Sequence, residues 1–156
     1  MGMVERPFRN GTRRAPGWLV DELVLTEAVT ARPVWIVEDE PAAAALAAEL
    51  CTGHDGSPSV FRDTLPFLAA LRSGVEPAAV VLDWRLEHEL SAALFLATRH
   101  RYPILRVVYW TGSPVASLPG MIRGDQHTRI VDKAAGTKAF EDAIDWALAG
   151  SGQTAA

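Results

Sequence analysis

"AAVVLDWRL", residues 78–86, decides the fold. Two alanines, two valines and a leucine run without interruption into Asp83, and then into Trp84 and Arg85. A short continuous apolar run of this kind reads as a strand buried on both faces. An ionised carboxylate is costly to bury without a partner or a metal. Asp83 therefore belongs either at the solvent-facing tip of a buried strand or among groups that compensate its charge.

Working outward, the same arrangement recurs. "VWIV" (34–37) is a second buried-strand run, and "DEPAAAALAAEL" behind it has a capping residue, a proline for the first turn and an alanine-rich helical stretch. "PSVFR" (58–62) is a short strand, followed by a helix over Thr64–Arg72 that stops at Gly74. After the central strand, Leu86, Leu90, Leu94 and Ala97 recur at helical spacing until Tyr102 and Pro103, which predicts a helix from residue 86 onward. "ILRVVYW" (104–110) is a strand, "SPVASLPGMI" holds at most a short helix, and "TRIVD" (128–132) is the last strand. From Thr137 as N-cap, Phe140, Ile144, Ala147 and Leu148 mark one face of a helix that ends at Gly150. Five strands alternating with helices predict an α/β fold with a doubly wound parallel sheet and helices on both faces.

Length and composition set the frame. A chain of 156 residues, 49% apolar and with a net charge of −4, suits one domain and offers no charge-based case for nucleic acid. No apolar run approaches the roughly 18 residues that cross a bilayer. The single Cys51 excludes a disulfide framework within the chain and fits a reducing, cytoplasmic compartment. Residues 1–32 read as an N-terminal extension, a flexible or docking arm. It carries Arg6, Arg9, Arg13 and Arg14, the breakers Pro7, Gly11, Pro16 and Gly17, and one apolar patch, "WLVDELVLTEAV". Residues 33–150 form the domain, and 151–156 are expected to be a disordered tail.

In parallel α/β sheets ligands bind beyond the carboxyl ends of the strands. Here those ends carry Glu38 and Asp39, then Asp83, then Thr111, and finally Asp132 and Lys133. The apolar pattern alone chose these positions, yet they bring carboxylates, a hydroxyl and one of only two lysines to one rim. Clustered carboxylates repel, and a hard divalent cation with oxygen ligands, Mg²⁺, is the natural way to hold them. A carboxylate so placed can attack phosphorus, with an ammonium and a hydroxyl to receive the phosphoryl oxygens.

In these motifs the segment from about 34 to 149 resembles the receiver domain of two-component response regulators. "VEDEP" matches the acidic pair after the first strand, "VLDWRL" the phosphoacceptor, "YWTGS" the threonine and "VDKAAG" the lysine of that family. The resemblance implies the flavodoxin-like strand order 2-1-3-4-5. It implies Asp83 as the acceptor of a phosphoryl group from a histidine kinase or phosphotransfer protein in a Mg²⁺-dependent reaction. Glu38, Asp39, Asp83 and the backbone carbonyl of Arg85 would hold the metal, and Thr111 and Lys133 would read the new charge. The chain would then be no enzyme beyond its own phosphorylation and dephosphorylation. It would signal by contact with a downstream protein, with a homodimer as one option, and without touching nucleic acid or membrane.

The chain also departs from the family. The acidic pair is Glu-Asp, where Asp-Asp is commonest. Glu87 stands where a proline usually follows the acceptor by four residues, and Ser91 where a glycine follows by eight. Ala134 replaces the proline after the lysine, where the peptide is often cis. A cis bond without proline costs about 3 kcal/mol, which predicts a trans bond and a differently shaped loop. Ile130 replaces the aromatic residue often found three positions before the lysine.

Plainer roles exist for each residue. Asp83 could cap the following helix, Glu38 and Asp39 could be acids at a helix N-terminus, Thr111 a loop hydroxyl and Lys133 a solvated amine. Trp84 and Trp110 read as packing residues, and Cys51 as a small buried hydrophobe. His54, His88, His100 and His127 have no metal-ligand spacing. Two further functions compete with the phosphorylatable receiver. One is a degenerate receiver that serves as a docking module without phosphotransfer. The other, a haloacid-dehalogenase-like phosphatase, needs a second aspartate where Arg85 stands. No G-x-G-x-x-G follows a strand, which argues against a dinucleotide site.

Overall fold

The computed structural model of the chain describes residues 31–87 and 89–153. Most of the arm expected over 1–32, His88 and residues 154–156 lie outside the described residues.

The apolar runs form five strands: β1 (Arg32–Val37), β2 (Gly56–Phe61), β3 (Ala79–Leu82), β4 (Val107–Thr111) and β5 (Thr128–Asp132). All pair in parallel, in the order β2-β1-β3-β4-β5. This is the predicted strand order.

Between the strands lie α1 (Pro41–Gly53), α2 (Thr64–Arg72), α3 (Ala92–Arg101), the one-turn α4 (Gly120–Arg123) and α5 (Thr137–Ala149). They cover both faces of the sheet, each face with its own core. Because side chains alternate along a strand, "VWIV" is split between two cores. Trp35 and Val37 join Phe67, Leu71, Leu94 and Ile122 beneath α2, α3 and α4. Val34 and Ile36 join Ala47, Cys51, Phe140 and Ile144 beneath α1 and α5. No helix among the described residues is long and apolar enough to cross a membrane.

Local chemistry sets the helix ends. Glu40 is the N-cap of α1: its carboxylate accepts from Ala42 N–H at 3.2 Å and from Ala43 N–H at 2.6 Å, and Pro41 fills the first turn. Gly74, at φ +86°, turns the chain after α2 through a conformation that side chains rarely adopt. The last carbonyls of α5 are taken by two arginines. Arg106 Nη1 donates to Trp146 O at 2.6 Å and Arg32 Nη1 to Leu148 O at 2.5 Å. A short helical turn, Gly150–Gln153, follows α5.

Several boundaries differ from the sequence expectation, β2 among them, which spans Gly56–Phe61 rather than 58–62. The helix after β3 begins at Ala92, not at 86. Arg85 and Leu90 instead form an antiparallel bridge, with reciprocal backbone bonds between Leu86 and Glu89. Leucines four apart satisfy this hairpin as well as a helix; Leu86 packs on the core while Leu90 is exposed. Next, β4 starts at Val107 and runs through Thr111, because Ile104 is exposed and Thr111 still pairs with Asp132. Lastly, the N-cap of α5 is Gly136, at φ +92°, so Thr137 is already helical.

Candidate functional site

The strand order reverses between β1 and β3, and the cleft beyond their carboxyl ends collects the chemistry. It is lined by Glu38, Asp39, Glu40, Asp83, Arg85, Thr111, Gly112, Ser113 and Lys133. Glu38, Asp39, Asp83, Arg85, Thr111 and Lys133 therefore all line one cleft, delivered by the ends of β1, β3, β4 and β5, whereas Asp132 does not line it.

At its centre the Lys133 ammonium bridges two carboxylates, donating to Glu38 Oε1 at 2.7 Å and to Asp83 Oδ2 at 2.9 Å. Glu38 and Asp83 are buried, at 2% and 8% exposure. Burial pushes the Glu38 carboxyl above its usual range, and the Asp83 charge adds to this while Lys133 opposes it. For Lys133 burial pulls the other way, but the bonds to Glu38 and Asp83 prevail and hold the ammonium above its ordinary value. The cluster thus carries one cation against two anions, with Asp39 close by.

Smaller bonds orient the rest. Glu38 Oε2 accepts from Glu40 N–H at 3.2 Å, and Asp83 Oδ1 from Arg85 N–H at 3.4 Å. Thr111 is buried, and its Oγ1 accepts from Ser113 N–H at 3.1 Å, which leaves the hydroxyl proton to be donated. The loop after β5 contains no cis peptide, as the Lys133–Ala134 pair predicted. Asp132 shapes it: its carboxylate accepts from Ala134 N–H at 2.8 Å and caps a short helical turn over Lys133–Ala135.

Two contacts were not foreseen. Lys133 Nζ lies 5.2 Å from the ring centroid of Trp110, a cation–π contact beneath the salt bridges. Trp110 is buried and its Nε1 has no partner among the described residues. The other is Asp39, whose carboxylate accepts from the backbone N–H of Glu87. No side-chain pattern announces a backbone donor, and only the absence of proline at 87 hinted at it.

No three His, Cys, Asp or Glu side chains among the described residues stand as a metal cluster. Lys133 holds Glu38 and Asp83, and Glu87 holds Asp39. The donor set itself, three carboxylates facing one cleft, has the hard-oxygen chemistry that suits Mg²⁺.

No family model and no curated protein matches the chain. Solved structures do. A response regulator receiver protein from Sinorhizobium medicae aligns with a TM-score of 0.68 at 16% identity, covering 79% of this chain and 98% of that one. TrrA of Thermotoga maritima, solved in complex with Mg²⁺-BeF, aligns with a TM-score of 0.62 at 13% identity, over 75% and 99%. NtrX from Brucella abortus aligns with a TM-score of 0.68 at 22% identity, over 80% of this chain and 28% of its own. The fold is that of response regulator receiver domains. Trp84 is buried against Tyr109, with ring centroids 6.4 Å apart, and Ser91 N–H donates to Trp84 O at 3.0 Å, closing the loop after β3 at its base.

Proposed function

We propose that the chain is a phosphorylatable receiver of a two-component system in the cytoplasm. Asp83 accepts a phosphoryl group from a histidine kinase or phosphotransfer protein, and the signal passes to a downstream protein by contact. The observation that carries this reading is the Lys133 ammonium bridging Glu38 and Asp83 at the switch point of a receiver fold. An ammonium 2.9 Å from Asp83 Oδ2 is positioned to neutralise charge that develops on that side chain.

In the transfer, an Asp83 oxygen forms a bond to phosphorus as the donor's nitrogen–phosphorus bond breaks, and the donor imidazole keeps the electron pair. Lys133 turns from the carboxylate to a phosphoryl oxygen, and the Thr111 hydroxyl donates to another. Glu38, Asp39, Asp83 and the Arg85 carbonyl are the groups that would hold Mg²⁺, which would supply further positive charge for the phosphoryl oxygens.

The test is the intact mass after incubation with Mg²⁺ and acetyl phosphate. One added phosphoryl group is expected on wild type and none on Asp83→Asn, whose amide is nearly isosteric but forms no acyl phosphate. Labelling of the variant to the wild-type level would remove Asp83 from the role. The docking module without phosphotransfer is the second reading, favoured by the engagement of Asp39 with Glu87. It takes the place of the first reading if wild type gains no mass.

A further inference from the structure

The Asp39 carboxylate meets a backbone donor that a chain with proline at position 87 lacks altogether, since proline has no N–H. The bond ties the end of β1 to the loop after β3 across 48 positions of sequence. That loop is independently shaped. Arg85 pairs with Leu90, Leu86 N–H donates to Glu89 O at 2.9 Å, and Thr64 Oγ1 on α2 donates to Glu89 Oε1 at 2.7 Å. The Glu87 N–H is therefore presented to Asp39 by a loop that stands on its own contacts. It is a preformed donor rather than a consequence of where Asp39 happens to lie.

A hydrogen bond to a carboxylate is among the stronger ones, and it fixes where the oxygens point. Here it draws Asp39 toward the loop, while Glu38 and Asp83 converge on Lys133, and the three carboxylates do not form a common cluster. The bond engages Asp39 Oδ2, so the Glu87 N–H and a cation beside Asp83 would draw on the same carboxylate.

We propose that the Glu87 backbone N–H is a latch that competes with a divalent cation for Asp39, so that metal loading releases the turn at Glu87. The latch rests on the receiver reading above and names a control on its metal site. It makes the loop over 86–89 the first segment to sense an occupied site. The Leu86–Glu89 bonds and the Thr64–Glu89 bond keep that segment folded when Glu87 lets go. The change is local, confined to one amide and its neighbours.

The experiment is a calorimetric Mg²⁺ titration of wild type, Glu87→Pro and Glu87→Ala, with amide exchange at residue 87 followed by ¹⁵N NMR in wild type. Removing a charge-assisted competitor should tighten Mg²⁺ binding on the order of tenfold in Glu87→Pro. Glu87→Ala keeps the N–H and loses a negative charge, so it should bind no tighter than wild type. Saturating Mg²⁺ should speed exchange of the Glu87 amide while leaving that of Leu86 and Glu89 unchanged. If Glu87→Pro does not fold, the wild-type exchange decides alone. A Glu87 amide equally protected with and without bound Mg²⁺, or a folded Glu87→Pro that binds no tighter, overturns the latch and leaves the receiver reading standing. Absence of Mg²⁺ binding in all three proteins overturns the metal reading, and the latch with it.

Discussion

The hydroxyl of Ser91, at the N-terminus of α3, donates to the hydroxyl of Tyr109 on β4 at 3.2 Å, and both side chains are fully shielded from solvent. The Tyr109 ring also packs against Trp84 and Phe95, so the pair joins both ends of the loop after β3 to the central sheet. Burial, the largest cause, pushes the Tyr109 phenol up and keeps it protonated; the Ser91 bond opposes this and the Asp83 charge adds to it.

A buried hydroxyl that loses its partner bears the full desolvation penalty, whereas removing both partners is close to neutral. Ser91→Ala and Tyr109→Phe should each lower stability by about 1–2 kcal/mol, and the double variant by clearly less than the sum. Urea unfolding of the four proteins measures this. Strict additivity would mean that the two hydroxyls do not depend on each other.

The central strands β1, β3 and β4 were legible because burial on both faces leaves apolar runs, whereas the partly exposed β2 and β5 show only the short stretches Val60–Phe61 and Ile130–Val131; each stretch ends where the next charge or hydroxyl appears. That is also why Glu38, Asp83 and Lys133 could be placed at one rim. Their pairing could not. Lys133 and Glu38 are 95 positions apart, and nothing in either local stretch says that one ammonium will serve two carboxylates. The loop after β3 misled for a different reason. Leu86 and Leu90 have helical spacing, but the backbone there satisfies itself within a four-residue turn, and Leu90 ends in solvent. Thr137 looked like an N-cap because its type is right, yet the preceding Gly136 takes the positive φ and the cap position.

The imidazole of His54, just after α1, meets two carboxylates of α5: Nδ1 lies 2.7 Å from Asp145 Oδ1 and Nε2 lies 3.1 Å from Glu141 Oε1. Both ring nitrogens can donate only in the imidazolium form. The bonds to Glu141 and Asp145 raise the His54 pKa above its usual 6.5, against a small loss from burial. A raised folded value means that the stabilisation is complete below about pH 6.5 and fades as pH rises through the folded value. The thermal midpoint of wild type should fall between about pH 6 and pH 9 by more than that of His54→Gln. Equal slopes would remove His54 from the junction of α1 with α5.

Lys133→Ala leaves Glu38 and Asp83 facing each other with no cation. Breaking a fully buried pair costs roughly 3–5 kcal/mol, and partial exposure of Lys133 lowers the expectation to about 2–3 kcal/mol at neutral pH. Burial already raises the Glu38 pKa, and losing Lys133 raises it further. A raised carboxyl value means that the penalty is present at neutral pH and relieved as pH falls toward the unfolded value near 4.5. The stability difference between variant and wild type should therefore shrink on acidification, and chemical unfolding near pH 7 and near pH 5 reads it. A constant difference would assign the loss to the Trp110 contact rather than to the carboxylates.

The last prediction follows the charge outward from Asp83. A phosphoryl group there adds negative charge beside Glu38 and Asp39, and Lys133 and a bound cation must offset it in a site only partly screened by water. Thr111 has its oxygen engaged by Ser113 N–H and its proton left to donate, so it can bond a phosphoryl oxygen without losing its present partner. That bond draws the end of β4 inward, and Gly112, whose surroundings are open, follows without a clash. Ile130 on β5 is half-buried against the core, and it has no hydroxyl or large ring to carry the motion further. Beryllofluoride should therefore slow hydrogen exchange near residues 111–113 in wild type and change it little across 128–131. Thr111→Ala should still accept a phosphoryl group but lose the protection at 111–113. A large protection change across 111–131 in the Thr111→Ala variant would show that the signal leaves Asp83 by another route.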